Sequence, residues 1–268
     1  MLESRGSPGE RAGADLLEID DLAIRFGGIS ALDGVSLRVA EGTVTSVIGP
    51  NGAGKTTLYN CICGLYRPHR GRVRLAGEDL LGLRPDAIAR RAVARTFQTI
   101  ELFRGMTALD NLLLGRHLRF RATFWDAALA TRRWWAEEAR HREVAERILD
   151  FLDLQAVRNR RVGDLPVGQQ KLVELGRALA LEPRLLLLDE PSAGMTVEEK
   201  EDLVFRIGDV RDEFGATVVL VEHDLRVVMG ISDRVVVLDH GVVIAAGPPE
   251  AVQRDPEVIR AYLGEAGA

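Results

Sequence analysis

The feature that most constrains this chain is GPNGAGKTT, residues 49–57, which fits the pattern G-x-x-x-x-G-K-[ST] directly behind the uninterrupted, uncharged run Val44 to Ile48. Such a run predicts a strand covered on both faces, as in a parallel sheet, and the following TTLYNCICGL predicts a helix. Gly49, Gly52 and Gly54, with Pro50, Asn51 and Ala53 between them, let the backbone wrap so that amide N–H groups converge on phosphate oxygens. The helix behind the loop directs its positive end at the same anion. Lys55 is then expected to reach the β- and γ-phosphates, Thr56 to offer its hydroxyl to Mg²⁺, and Thr57 to complete the stretch. The bland reading, a Gly-rich turn that happens to hold a lysine, does not explain why strand and helix flank it as the pattern demands.

Three further apolar runs have the same buried-strand character: Leu185 to Leu188, Thr217 to Val221 and Val235 to Leu238. Leu203, Ile207, Val210 and Phe214 recur at helical spacing between two of them, a strand–helix–strand pattern that predicts an α/β core. Earlier, Leu22 and Ile24, then Val35, Leu37 and Val39, alternate with polar neighbours and predict half-buried antiparallel strands. Strand signals stop between about 101 and 173, where Val144, Ile148, Phe151 and Leu152 mark an amphipathic helix; this stretch reads as a helical lobe. Residues 1–14 offer little to bury and read as a flexible tail, leaving 15–268 as one domain with lobes.

Composition narrows the classes. A net charge of -5 without a lysine-rich block argues against a nucleic-acid partner. No stretch approaches the ~20 apolar residues of a membrane span, and no signal-peptide order opens the chain, so a cytosolic protein touching a membrane only through partners is expected. Cys61 and Cys63 suit neither a disulfide framework nor a four-ligand zinc site and are expected to be buried free thiols.

LLLLDEP sets Asp189 and Glu190 at the carboxyl end of a strand, the edge where open α/β sheets bind ligands. Asp189 can hold the metal, and Glu190 can polarise an attacking water. His223, in VVLVEHD, emerges from another strand end and can hydrogen-bond the γ-phosphate and that water. Gln98, in RTFQ, can ligate Mg²⁺ or position water without adding charge.

Taken in order, these pieces resemble the ABC-transporter ATPase family from Leu16 onward. Gly49 to Thr57 corresponds to the family's Walker A loop, Gln98 to its Q-loop, Leu185 to Glu190 to Walker B, and His223 to its switch histidine. LPVGQQ, Leu165 to Gln170, occupies the place of the LSGGQ signature. The resemblance implies a P-loop NTPase fold with an N-terminal antiparallel β-subdomain, an inserted α-helical subdomain and a C-terminal tail at about 246–266. It implies ATP and Mg²⁺ as ligands, and a dimer in which Gly168 and Gln169 of one subunit close over ATP held by another. Phe26 stands where the family stacks an aromatic on adenine. Pro166 and Val167 replace Ser and Gly of the signature, and Thr196 stands where the D-loop often carries Asp, a change expected to weaken communication across the dimer.

RFGGISALDGVSL, RTFQTIELFRGMTALDNLLLG and GISDRVVVLDHGVVIAAGPPEAVQRDPEVIRAYLGE are similar to ATPases of branched-chain amino acid importers, in particular the longer of their two paired ATPases. That likeness implies two permease subunits, a second ATPase subunit, identical or different, and an extracytoplasmic substrate-binding protein, with this chain peripheral on the cytoplasmic face of the inner membrane. The alternatives are the ATPase of a lipopolysaccharide-type exporter, which usually keeps the signature Ser and lacks an insertion like that at 118–140, and a non-transport ABC ATPase, which would want heptads, zinc cysteines or a second cassette. Trp134 and Trp135, being adjacent on a helix, cannot both enter one core face. Packing within the helical lobe is the expectation for them, with a partner contact as the other reading.

Overall fold

The computed structural model describes residues 14–265, so the expected tail lies outside the described residues except for Ala14. The chain begins with β1 (Asp15–Phe26), β2 (Ile29–Ala40), β3 (Val44–Ile48), α1 (Lys55–Ile62), β4 (Arg70–Leu75), β5 (Glu78–Asp79), α2 (Pro85–Ala89) and β6 (Val93–Arg95). Helices follow: α3 (Ala108–Gly115), α4 (Phe124–Ala128), α5 (Arg132–Phe151) and α6 (Val167–Leu179). The rest alternates, with β7 (Leu185–Asp189), α7 (Val197–Phe214), β8 (Thr217–Val221), α8 (Leu225–Ile231), β9 (Arg234–Asp239), β10 (Val242–Gly247), α9 (Pro249–Gln253) and α10 (Pro256–Glu265). Two compact units result, one built from the chain up to Arg84 and from Thr217 onward, the other from Pro85–Ala216.

In the first unit β1 pairs antiparallel with β2 and with β4, as the alternation of Leu22, Ile24, Val35, Leu37 and Val39 predicts. β3 lies between β8 and β9 and is parallel to both, and β10 runs antiparallel to β9. All five residues of β3 and of β8 are buried, which is why neither strand alternates apolar with charged residues. α1 packs Leu58, Tyr59, Cys61 and Ile62 inward, and the Tyr59 hydroxyl, buried with its ring, donates to the Val219 carbonyl at 2.7 Å. Val252 of α9 and Val258 of α10 join Ile48, Val228, Val235 and Val237 in one cluster, so the C-terminal segment packs on this core. The helix stops at Ile62, short of the expected Leu65, where Gly64 turns to φ +70°. Cys61 is buried as expected, but Cys63, past the helix end, is only half-buried.

The second unit pairs β6 and β7 in parallel. β4 and β6 are not announced by the sequence pattern: β6 has three residues, and β4 alternates arginines with only two large apolar side chains. α6 runs on to Leu179, past Val173, because Leu175, Ala178 and Leu179 keep its buried face going. α3 and α6 meet at glycines: a Cβ on Gly115 would lie 2.4 Å from the Arg177 carbonyl oxygen, and one on Gly176 3.2 Å from Leu112. His141, Ala145, Ile148 and Leu149 form the buried stripe of α5. The adjacent tryptophans diverge: Trp134 is half-buried, tilted against Phe120 with centroids 6.0 Å apart, and Trp135 is exposed. Among the described residues no helix is long and apolar enough to cross a membrane.

Candidate nucleotide and hydrolysis site

In the first unit the loop between β3 and α1 is shaped by glycine. Gly49 has φ +147°, and a Cβ there would lie 1.9 Å from the Leu238 carbonyl oxygen; Gly54 has φ +104°, and its Cβ would lie 2.5 Å from that of Ala31. Only glycine satisfies both backbone and space. Lys55 is buried inside the curl, with Nζ donating to the carbonyls of Gly49 at 2.7 Å and Pro50 at 2.8 Å. Gly54 occupies the N-cap of α1, and neither a capping side chain nor an acidic residue covers the first turn. Its amides are thus presented to an anion. Pro50 and Ala53 are buried, Asn51, Gly52 and Thr56 exposed, and Thr57 half-buried.

Phe26, at the end of β1, is 44% exposed and meets Tyr66 edge-on at 5.1 Å. Behind β8, His223 is exposed on a segment held by Glu222. That buried carboxylate accepts from the backbone N–H of His223 at 3.0 Å and of Asp224 at 3.5 Å. Sequence reasoning passed over Glu222 because the neighbouring histidine carried the stronger signal.

The second unit brings Gln98, Asp189 and Glu190 together. Gln98 Nε2 donates to Glu190 Oε2 at 3.0 Å, and Glu190 sits at φ +48°, a left-handed conformation uncommon for a residue with a Cβ. Asp189 is buried and paired at 2.7 Å with Arg95, also nearly buried, while its backbone N–H donates to Thr96 Oγ1 at 3.3 Å. α6 grips the segment that carries Gln98. Lys171 Nζ donates to the Gln98 carbonyl at 3.1 Å, and Glu174 Oε1 accepts from the N–H groups of Phe97 and Glu101, each at 3.4 Å. Burial pushes the Glu174 carboxyl above the usual carboxylate range, with the Lys171 charge opposing. Arg95, Lys171 and Glu174 were not legible as site residues, since each looks like an ordinary strand or helix position.

Gly168 and Gln169 form the first turn of α6, and Pro166 is its N-cap, without a capping side chain. A Cβ on Gly168 would lie 2.2 Å from a Glu199 carboxylate oxygen, so glycine is required here too. Thr196 is the N-cap of α7, in a reciprocal capping box with Glu199. The sequence departure at this position therefore starts a helix.

The profile described as ABC transporter matches residues 32–193, and that described as branched-chain amino acid ATP-binding cassette transporter matches residues 242–268. The high-affinity branched-chain amino acid transport ATP-binding protein BraF of Pseudomonas aeruginosa is 45% identical over 94% of this chain and 98% of its own. Its counterpart LivG of Escherichia coli is 40% identical over the same shares. Among solved structures, the ADP conformation of MJ1267, an ATP-binding cassette of an ABC transporter, superposes with a TM-score of 0.81 at 35% identity, covering 93% of this chain and 99% of that one. The dimeric cassette MJ0796 reaches 0.74 at 28% identity, covering 87% and 98%. With its glycine-built phosphate loop and its paired Gln98 and Glu190, the chain belongs to the ABC transporter family, as an ATP-hydrolysing cassette of the branched-chain amino acid group.

Proposed function

We propose that this chain powers the import of branched-chain or related amino acids, hydrolysing ATP at the cytoplasmic face of the membrane against two permease subunits. The observation that carries the hydrolytic reading is the Gln98–Glu190 hydrogen bond beside the buried Asp189. In the proposed cycle the 49–57 loop holds the phosphates, with Lys55 neutralising the β- and γ-groups and Phe26 stacking on adenine. Glu190 takes a proton from the attacking water as its oxygen bonds to the γ-phosphorus and the bond to the β-phosphate oxygen breaks. Gln98 orients that water and His223 hydrogen-bonds the γ-phosphate.

Thr56, Gln98 and Asp189 offer a hydroxyl, an amide oxygen and a carboxylate, the hard oxygen donors that suit Mg²⁺ alongside substrate phosphates. Gln98 spends its Nε2 on Glu190, which leaves its amide oxygen for a metal. When bound, Mg²⁺ neutralises charge on the phosphate oxygens. Two ATPase subunits, this chain with itself or with a second one, enclose ATP between the phosphate loop of one and Gly168 and Gln169 of the other. An extracytoplasmic binding protein delivers the solute. Support for the substrate class comes from BraF and LivG, which bear that function in their names.

The test is to trap a tagged Glu190→Gln variant with ATP in its native membranes and identify what co-purifies. That variant should bind ATP and hydrolyse it at least about 100-fold more slowly, the scale of a lost general base, and should retain two permease subunits and an ATPase partner. Lys55→Ala should lose most affinity or turnover. Wild-type turnover in Glu190→Gln, or a lipid-export assembly in place of amino acid permeases, would refute the proposal.

A further inference from the structure

All three tryptophans of the chain, Trp125, Trp134 and Trp135, fall in one short segment of the second unit. Trp134 packs inward against Phe120, but Trp125 and Trp135 are 71% and 61% exposed, and Leu129 is 75% exposed. Trp125 and Leu129 are four positions apart, on α4 and its C-cap, and so share a face. The corner is held in place. Asp126 closes a capping box with Thr123 at the start of α4, and its Oδ1 accepts from the hydroxyl of Thr131, the N-cap of α5, at 3.3 Å. The large apolar side chains therefore stand out from an ordered turn.

The charge around them is one-sided. From Arg116 to Ala136 the sequence holds five arginines and a single acid, Asp126, in a chain whose net charge is -5. Arg116 and Arg119 are spent within the unit, Arg116 against His141 and the Ala180 carbonyl, Arg119 on the carbonyls of Leu181 and Glu182, and both on the Glu182 carboxylate at 3.5 and 3.8 Å. Arg121, Arg132 and Arg133 are exposed. The nearest following acid, Glu137, accepts the backbone N–H groups of Arg121 and Ala122 at 2.7 and 2.6 Å.

We propose that this corner, α4 with the first turn of α5, docks on an anionic lipid surface. Trp125, Leu129 and Trp135 enter the boundary between headgroups and acyl chains, and Arg121, Arg132 and Arg133 lie against the lipid phosphates. Indole suits that boundary because its ring is apolar and its N–H needs a polar partner. Exposed basic and aromatic side chains gathered in one short segment are also found on helices that lie on a membrane without crossing it. The local positive charge selects an anionic surface although the protein as a whole is acidic. This contact goes beyond the permease docking of the proposed function and needs no permease.

The experiment uses the purified full chain and vesicles of phosphatidylcholine with or without phosphatidylglycerol. Because every tryptophan lies in this segment, emission excited selectively at tryptophan reports on it alone. Phosphatidylglycerol vesicles should bind the protein, shift its emission to the blue and, with brominated acyl chains, quench it; added salt should weaken the binding. Arg121→Gln/Arg132→Gln/Arg133→Gln should bind about 100-fold more weakly, from roughly fivefold per basic residue near a charged surface. Trp125→Ser/Trp135→Ser should lose the shift, and both variants should keep the ATPase rate measured without vesicles. No shift on anionic vesicles, or binding unchanged in both variants, overturns the proposal. So does a shift that appears only with detergent-solubilised permease, which would make the corner a protein interface.

Discussion

His141 on α5 accepts a hydrogen bond at Nδ1 from Arg116 Nε at 2.7 Å and stacks on Phe120 with centroids 4.0 Å apart. Burial, and then the Arg116 charge, lower its pKa; Glu137 and Glu138 pull the other way without reversing the shift. A histidine whose folded pKa lies below its unfolded value of about 6.5 contributes stability above that pH and loses it as pH falls through the folded value. Urea unfolding followed by tryptophan emission should therefore show the midpoint falling from about pH 7.5 to 5. His141→Gln keeps an acceptor for Arg116 and should flatten that slope. An unchanged slope in the variant would assign the pH dependence to other groups.

At the level of elements, α6 does two jobs at once. Its first turn carries Gly168 and Gln169, and one turn later Lys171 and Glu174 hold the backbone around Gln98. Three hydrogen bonds thus tie this helix to the segment that carries Gln98. Replacing Glu174 by Ala leaves the Phe97 and Glu101 amides without their acceptor. Phe97 and Glu101 are exposed, so water takes over as acceptor and each lost bond costs about 1 kcal/mol. Hydrogen exchange at those two amides should quicken about fivefold, while amides in α3 stay as they were. Equal exchange in both proteins would show that the clamp does not hold the loop. α7 offers a milder case: Thr is a strong N-cap, as Asp is, so Thr196 keeps the helix start intact despite departing from the usual D-loop residue.

For the whole molecule, the consequence of a nucleotide site is linkage. A ligand that binds only the folded chain stabilises it by about 2.7 kcal/mol at a hundred times its Kd. ATP with Mg²⁺ should raise the unfolding midpoint of Glu190→Gln accordingly, and adding Lys55→Ala should remove the increment. An equal increment with and without Lys55 would place the nucleotide elsewhere. The distribution of charge also belongs to this scale: an acidic protein carries a basic, tryptophan-bearing corner at which attraction for an anionic surface can act locally.

The sequence by itself determined the local elements, because their physics is local. Uncharged runs as long as a strand marked β3, β7, β8 and β9, the glycines and Lys55 marked the turn between β3 and α1, and strand ends made Asp189, Glu190 and His223 candidates for the proposed site. Side-chain period encodes which face is buried, and that requires no knowledge of what covers it. Tertiary structure alone decided the pairings. Arg95 meets Asp189 across 94 positions of sequence, and Glu174 reaches Phe97 across 77, contacts that arise only when β6, β7 and α6 have packed. It also decided which of two adjacent tryptophans would be covered, since Phe120 reaches Trp134 only once the chain has turned back between the segment before α4 and α5. Such contacts join residues whose individual signals are ordinary, and only the fold supplies the proximity that gives them a role.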